Sequence, residues 1–281
     1  MTERVAYLPD HQPRPEFHGL SVAQLRQWVS APLSELPLVT LQTPDSLSSS
    51  PVICYLELIL EEARTHSWAF KATSRGNLPA KLVKRASDLL PTFAVAEFER
   101  NISISEFAGS NEDKFNALHY TRILAQLTGL IALRRGQFRV SKAIQKQYDQ
   151  EGIGAFFMPL LETAVRQYNW GYFDAFEDDI DLRNVWLFML WRLQQHQSLD
   201  RLTDEVMAAF PRLVLELTGS SSRLGTERLD GLIESRFIRR FLEFWGFVTL
   251  DPKRFSNGER IQRSVDIQPL LTQTFQFAVG D

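Results

Sequence analysis

Apolar residues recur at helical spacing along much of the chain, and this pattern predicts its main helices. Directly after Pro51 the apolar residues share one face, while Glu57, Glu61 and Glu62 lie elsewhere, which predicts a helix of about four turns. The residues of that apolar face are Val52, Ile53, Leu56, Ile59, Leu60 and Ala63. Ser21 is placed to cap a shorter helix with apolar positions at Val22, Leu25, Trp28 and Val29. Similar spacing predicts helices over residues 156–168, 182–195, 199–210 and 228–245.

A strand and two more helices are predicted after the Pro51 helix. Residues 68–72 are predicted to form a short strand and residues 73–77 a turn. A helix then opens near Pro79, with Leu78, Leu82, Val83 and Ala86 facing inward. Residues 112–128 form the next predicted helix, whose buried side is Phe115, Leu118, Ile123, Leu124 and Leu127.

A β-hairpin is the most informative local prediction. Gly129 is placed to end the preceding helix, and two short apolar strands then flank the dipeptide Arg135-Gly136. The order helix, strand, helix, helix, hairpin is that of a winged-helix domain, which we predict over residues 52–141. The alternative left open is a helical domain that carries one hairpin.

The second half repeats part of this pattern. Residues 127–133 (LTGLIAL) align with residues 244–250 (FWGFVTL), so both glycines are predicted to end a helix that leads into a hairpin strand. We therefore expect a mostly α protein with small β-hairpins, in which tandem winged-helix-like units lie around a helical segment. The predicted domains are residues 1–51, an extension with one short helix, residues 52–150, winged-helix-like, and residues 151–281, helical and ending in a second such unit.

One stretch carries a family resemblance. Residues 70–83, FKATSRGNLPAKLV, are followed some fifty residues later by Gly129-Leu130-Ile131 and the hairpin. This arrangement, with Gly19-Leu20-Ser21 before the first helix, resembles uncharacterised bacterial proteins related to the plasmid open-reading-frame and SEC-C-associated families. The resemblance covers roughly residues 19–215 and implies a winged-helix-like fold without an established activity. Its motifs are structural and carry no catalytic residues across, and the chain lacks the cysteine-rich zinc knuckle of some relatives.

Composition narrows the class of protein. The chain has 281 residues, 31 basic against 34 acidic side chains, and a net charge of −3. A single cysteine, Cys54, excludes a disulfide framework and a cysteine-rich zinc site. No apolar run reaches the roughly 18 residues of a membrane helix, and the N-terminus lacks the apolar core of a signal peptide. We expect a soluble, cytoplasmic protein that does not engage a membrane.

Two basic runs without acidic residues suggest contact with nucleic acid. The first contains Lys81, Lys84 and Arg85, and the second, in the hairpin, contains Arg134, Arg135 and Arg139. Arginines on a wing can reach phosphates or a minor groove. Solvated surface charge is the alternative, and the net charge of −3 favours it. The leading prediction is a non-enzymatic DNA-binding or regulatory protein with duplex DNA as partner. The rival is a protein-interaction or assembly module that uses winged-helix units as scaffold for a protein partner.

Nothing in the sequence predicts an enzyme, a cofactor or a metal site. The five histidines show no metal-ligand spacing, and no nucleophile, phosphate-binding or dinucleotide-binding motif occurs. Cys54, on an apolar helix, is predicted to be an inert thiol. The acidic residues between 174 and 181 are expected to favour a helix start, and the aromatic residues between 168 and 176 to pack in the core. We therefore expect no acid–base or metal constellation in the main pocket.

Overall fold

The computed structural model describes residues 10–94, 111–172, 174, 176, 180–218, 222–252, 255–256 and 259–279. It shows a mostly helical protein with small antiparallel sheets, as predicted. The helices are α1 (Val22–Ser30), α2 (Pro51–Thr65), α3 (Ala80–Leu89), α4 (Asn116–Leu127), α5 (Lys142–Glu151), α6 (Phe157–Arg166), α7 (Trp186–His196), α8 (Leu199–Ala209), α9 (Pro211–Thr218), α10 (Ser222–Leu232), a π helix (Ile233–Glu243) and α11 (Pro269–Thr274). The strands are β1 (Val39–Leu41), β2 (Ala69–Lys71), β3 (Ala132–Arg134), β4 (Gln137–Arg139), β5 (Val248–Leu250), β6 (Phe255–Ser256), β7 (Glu259–Arg260), β8 (Val265–Ile267) and β9 (Phe275–Phe277).

The first unit, from α2 to β4, has the predicted order of helix, strand, two helices and hairpin. Its three strands form an antiparallel sheet in the order β2-β4-β3. Phe70 pairs with Phe138, and Leu133 pairs with Phe138 from the other side, so these three apolar side chains share one face of the sheet. The apolar faces predicted for α2 and for residues 78–86 are buried.

The second unit, from α7 to β8, has a related but longer order, with α9 and α10 before the π helix and the β6–β7 pair between β5 and β8. Strand β5 pairs with β8, and Ser198, between α7 and α8, forms an isolated bridge with Ser264 just before β8. Equivalent backbone bonds support the comparison. Val140 N–H donates to Trp68 O at 3.0 Å in the first unit, and Val265 N–H donates to Gln197 O at 2.8 Å in the second. The similarity between the two units therefore includes these backbone bonds as well as the seven aligned residues.

Both predicted glycine stops are confirmed. Gly129 and Gly246 have φ of +79° and +74°, a conformation that glycine adopts without steric cost. In each case the N–H of the next residue closes the helix end, from Leu130 to Ala125 O and from Phe247 to Leu242 O, both at 2.9 Å. Strands β3 and β5 follow directly.

Two predicted helices differ from those observed. The helix expected over residues 228–245 begins earlier as α10 and widens into the π helix at Ile233. Its apolar positions Ile233, Phe237 and Phe241 fit either helix type, so spacing alone did not reveal the change. The helix expected over residues 112–128 is a short 3-10 turn followed by α4, and Leu127 is 45% exposed instead of buried. Several polar residues of α4 are buried, because α4 packs against both α2 and α6.

The segment before α2 joins the end of the chain. Strand β1 pairs antiparallel with β9, and Trp28 of α1 lies edge-on to Trp191 of α7, with ring centroids 6.0 Å apart. The buried apolar side chains of the described chain form one cluster that spans both units and this segment. The predicted domain boundaries stay a prediction.

Candidate functional site

The first hairpin presents its arginines outward. Arg135 and Gly136 both have positive φ, 52° and 73°, which is the conformation of a type I′ turn. Strand pairing sets Arg134 beside Gln137, and Gln137 beside Lys71 of β2, on the face opposite the buried Phe138. Arg139 lies on the same outward face, and Arg134, Arg135 and Arg139 are all exposed, as predicted. We call these three residues the wing arginines.

The basic residues of α3 have a different environment. Lys81, Lys84 and Arg85 are exposed, as predicted. Lys84 pairs with Asp88 at 3.1 Å, however, and Arg85 pairs with Glu62 of α2 at 2.5 Å. Their charges are therefore partly neutralised within the protein. The wing arginines, in contrast, form no ion pair with any described residue.

The loop over residues 73–78, which carries the family resemblance, is held in place by hydrogen bonds that include one to the buried carboxylate of Glu112. Thr73 Oγ1 accepts the N–H of Asn77 at 3.0 Å, and Asn77 Nδ2 donates to Asp113 at 2.7 Å. The N–H of Leu78 donates to Glu112, whose side chain is fully buried. Residues 73–79 thus form a structural connection between β2 and α3. Sequence reasoning missed Glu112, because nothing in a local pattern marks which carboxylate becomes buried.

Glu112 also binds two polar side chains of α4. Arg122 Nε–H donates to Glu112 Oε1 at 2.7 Å, and His119 Nδ1 lies 2.9 Å from the same oxygen. Burial alone would raise the pKa of Glu112, but His119, Arg122 and the Leu78 N–H outweigh it and lower that pKa. His119 is 6% exposed and stacks on Tyr172, so it has a packed structural role.

A second cluster of this kind joins α7, α8 and the segment before α1. Glu205 accepts two hydrogen bonds from Arg192, at 2.8 and 3.1 Å, and one from Arg201 at 3.0 Å. His196 Nε2 lies 3.2 Å and His18 Nε2 3.8 Å from its oxygens. Burial raises the pKa of Glu205, but the hydrogen bonds and charge of Arg192, with His196 and Arg201, lower it to about 2.

Both ring nitrogens of His196 are occupied. The N–H of Ser198 donates to His196 Nδ1 at 3.2 Å, which fixes the proton on Nε2, where it is donated to Glu205. Burial lowers the pKa of His196, and Glu205 opposes this only in part. Burial and then Arg192 lower the pKa of His18. The cluster therefore lowers the pKa of both histidines below the ordinary histidine value.

The helix that leads into β3, which is α4, and the helix that leads into β5, which is the π helix, both lie inside the protein. Eight of the twelve residues of α4 are buried, and nine of the eleven residues of the π helix are buried. The two helices meet at Tyr120, whose ring centroid lies 5.5 Å from that of Phe244. Trp245 Nε1–H donates to Tyr120 OH at 3.0 Å. The interface between the two units thus includes α4 and the end of the helix that leads into β5.

The remaining candidates have structural roles. Burial raises the pKa of the Cys54 thiol, and its Sγ lies 3.3 Å from Ser48 O, so the group stays protonated. Tyr168 and Trp170 are in the core, whereas Tyr172 is 41% exposed. Of the acidic residues near α7, Asp181 caps the turn before the helix by accepting the N–H of Arg183 at 3.0 Å. Residues 177–179 lie outside the described residues.

The described residues contain no group of three or more histidine, cysteine or acidic side chains that is suited to a metal ion. No helix among them is long and apolar enough to span a membrane. No protein-family model, curated protein or solved structure matches the chain. The resemblance drawn from residues 70–83 therefore stays a prediction.

Proposed function

We propose that the protein acts by non-catalytic binding, as a protein-interaction or assembly module built on two winged-helix-like units. The burial of α4 and of the π helix carries this proposal. A helix of the helix-turn-helix class reads DNA by placing its side chains against base edges in the major groove. Most residues of α4 and of the π helix are instead buried within the protein. The strand order β2-β4-β3 supports the winged-helix interpretation. A similar order occurs in the second unit, where the chain at β8 lies between Ser198 and β5.

The absence of catalysis is part of the proposal. A general base needs a ring nitrogen or carboxylate oxygen that can reach a substrate proton. In His196 both nitrogens already bind groups of the protein, and Glu205 is neutralised by Arg192 and Arg201. A cytoplasmic location fits the lone, protonated Cys54 and is proposed with it.

A selection experiment tests this function. The full chain is incubated with a pool of random duplex DNA, and bound molecules are sequenced over several rounds. We expect no base motif to be enriched, because α4 and the π helix present few side chains to a groove. An enriched motif that disappears when an exposed residue of α4, such as Leu127, is replaced would contradict the proposal.

A partner is then sought from the first hairpin. A photo-cross-linking amino acid is placed at Arg135, at the exposed turn, and in a control at Glu57 on the exposed side of α2. We expect a saturable protein adduct from position 135 that excess unlabelled protein competes away, and none from position 57. Nucleic acid as the main adduct at position 135 would favour the second candidate.

That second candidate is binding of the DNA backbone, without base recognition. Its support is the exposed set of wing arginines with no acidic partner among described residues. Replacing Arg134 and Arg135 together by alanine should weaken duplex binding and reduce the salt slope by about one unit for each lost phosphate contact. Fluorescence anisotropy at several salt concentrations measures this.

The control for this double replacement removes the same charge elsewhere. Arg64 and Arg212 are arginines outside the hairpin, and their joint replacement by alanine should leave the salt slope close to that of the parent. No binding by the parent at low salt, or equal effects of both double replacements, would leave the interaction module as the sole proposal.

A further inference from the structure

A cleft lies at the seam between the two units. Its volume is about 360 Å³, at the lower end of the roughly 300–1,000 Å³ of small-molecule pockets. Leu90 and Phe93, after α3, form one apolar wall, and Val248 of β5 lies in another. Glu243, at the end of the π helix, lines the cleft together with the neutral side chains of Thr249 and Gln268.

Glu243 is the only charged side chain among the described residues that line this cleft. Its Oε1 accepts the N–H of Leu250 at 3.0 Å, and no other hydrogen bond to the carboxylate is formed by a described residue. Burial raises the pKa of Glu243, which Leu250, Arg239 and Arg263 oppose. Arg239 and Arg263 both form ion pairs with Glu234, at 3.0 and 2.5 Å, so Glu234 partly neutralises the positive charge near Glu243. The carboxylate is therefore partly buried, and the described residues leave one of its oxygens without a hydrogen-bond donor.

We propose that this cleft binds a small organic cation, an ammonium group on a compact apolar body. The ammonium donates to the open oxygen of Glu243, as a charge-assisted hydrogen bond, and the body lies against Leu90, Phe93 and Val248. A lone negative charge between neutral walls repels anions and gives no ionic attraction to neutral molecules of the same shape. This site is separate from the first hairpin, so it adds a ligand to the proposed module without depending on it.

Three aromatic probes of similar size but different charge test the charge requirement. Benzylammonium, benzyl alcohol and benzoate are titrated into the full chain, and binding is followed by NMR. We expect saturable binding of benzylammonium, and at least about tenfold weaker binding of the other two, as expected for loss of a hydrogen bond to a charged group. Equal binding of benzyl alcohol, or no saturable binding of benzylammonium, would overturn the proposal.

Variants locate the site. In Glu243→Gln the amide oxygen still accepts the Leu250 N–H, so the fold is retained while the charge is lost; benzylammonium should bind at least about tenfold more weakly and no better than benzyl alcohol. Thr249→Trp, at an exposed position of β5, should block the cleft for all three probes. Glu57→Gln removes an exposed carboxylate elsewhere and should bind as the parent does. Unchanged benzylammonium binding in Glu243→Gln refutes the site, whatever the duplex selection shows.

Discussion

Gly129 and Gly246 occupy equivalent positions in the two units, yet their surroundings differ. A Cβ atom added to Gly129 would meet nothing within 4 Å, whereas one added to Gly246 would overlap the carbonyl oxygen of Ser49. Gly129→Ala should therefore lower the free energy of unfolding by about 1–2 kcal/mol, the cost of a left-handed backbone. Gly246→Ala should lower it by roughly 1–3 kcal/mol more, because backbone must also move.

Urea unfolding of both variants measures this difference. The two replacements are chemically identical and serve as each other's control. Equal losses of stability would show that Ser49 can shift without cost and would contradict the prediction.

At the same scale, the sequence predicted both glycine stops but not this contact. A helix end that needs positive φ is a local property, and the residues after each glycine already indicate a strand. Ser49 and Gly246 are brought together only by the folded chain. Glu112 and Arg122 were missed for the same reason, since a buried ion pair joins residues that no local period relates.

At the scale of elements, the cluster between α7 and α8 predicts a dependence of stability on pH. The pKa values of His18 and His196 are lowered in the folded protein, so the folded state binds fewer protons than the unfolded state below the ordinary histidine pKa of about 6.5. Their contribution is fully present above that pH and is lost as the pH falls. The free energy of unfolding should therefore decrease between about pH 7 and 5.

Two variants test whether His196 causes this decrease in the free energy of unfolding. His196→Gln removes one titrating group and should flatten the pH dependence of urea unfolding, even though the protein loses stability at pH 7. His11→Gln, at an exposed position outside the cluster, is the control and should retain the slope of the parent. A slope that survives in His196→Gln would place its origin in other groups.

Whether an element could be predicted depends on whether residues close in sequence determine it. The apolar faces of α2, α3 and α7 were predicted, because each repeats with the helical period. The π helix was not, since Ile233, Phe237 and Phe241 satisfy the spacing of an α helix as well. The pairing of β1 with β9 was also missed, because each strand has only three residues and its partner lies at the other end of the chain.

At the scale of the whole molecule, β9 connects the last residues to both the core and the first segment. Phe275 is 1% exposed and lies between Trp186 and Phe247, at ring distances of 5.8 and 5.7 Å. Phe275→Ala should lower the free energy of unfolding by about 3–5 kcal/mol, the usual cost of removing a buried aromatic ring. Gln276→Ala, exposed on the same strand, should change it little.

Two probes of unfolding check how far this connection extends. Because one apolar cluster spans the described chain, circular dichroism and tryptophan fluorescence should report the same urea midpoint in the parent. Both midpoints should fall together in Phe275→Ala. Separate midpoints in the parent would show that the two units unfold independently.

The pairing of β1 with β9 also has a mechanical consequence. Val39 pairs with Phe277, so the chain that precedes β1 and the chain that follows β9 leave the ladder at the same end. A force that pulls these two segments apart loads the bond from Ala278 N–H to Leu38 O first, and then the pairs Val39–Phe277, Thr40–Gln276 and Leu41–Phe275 in turn. The strands would peel apart one pair at a time at low force, before any tension reached the helices between them.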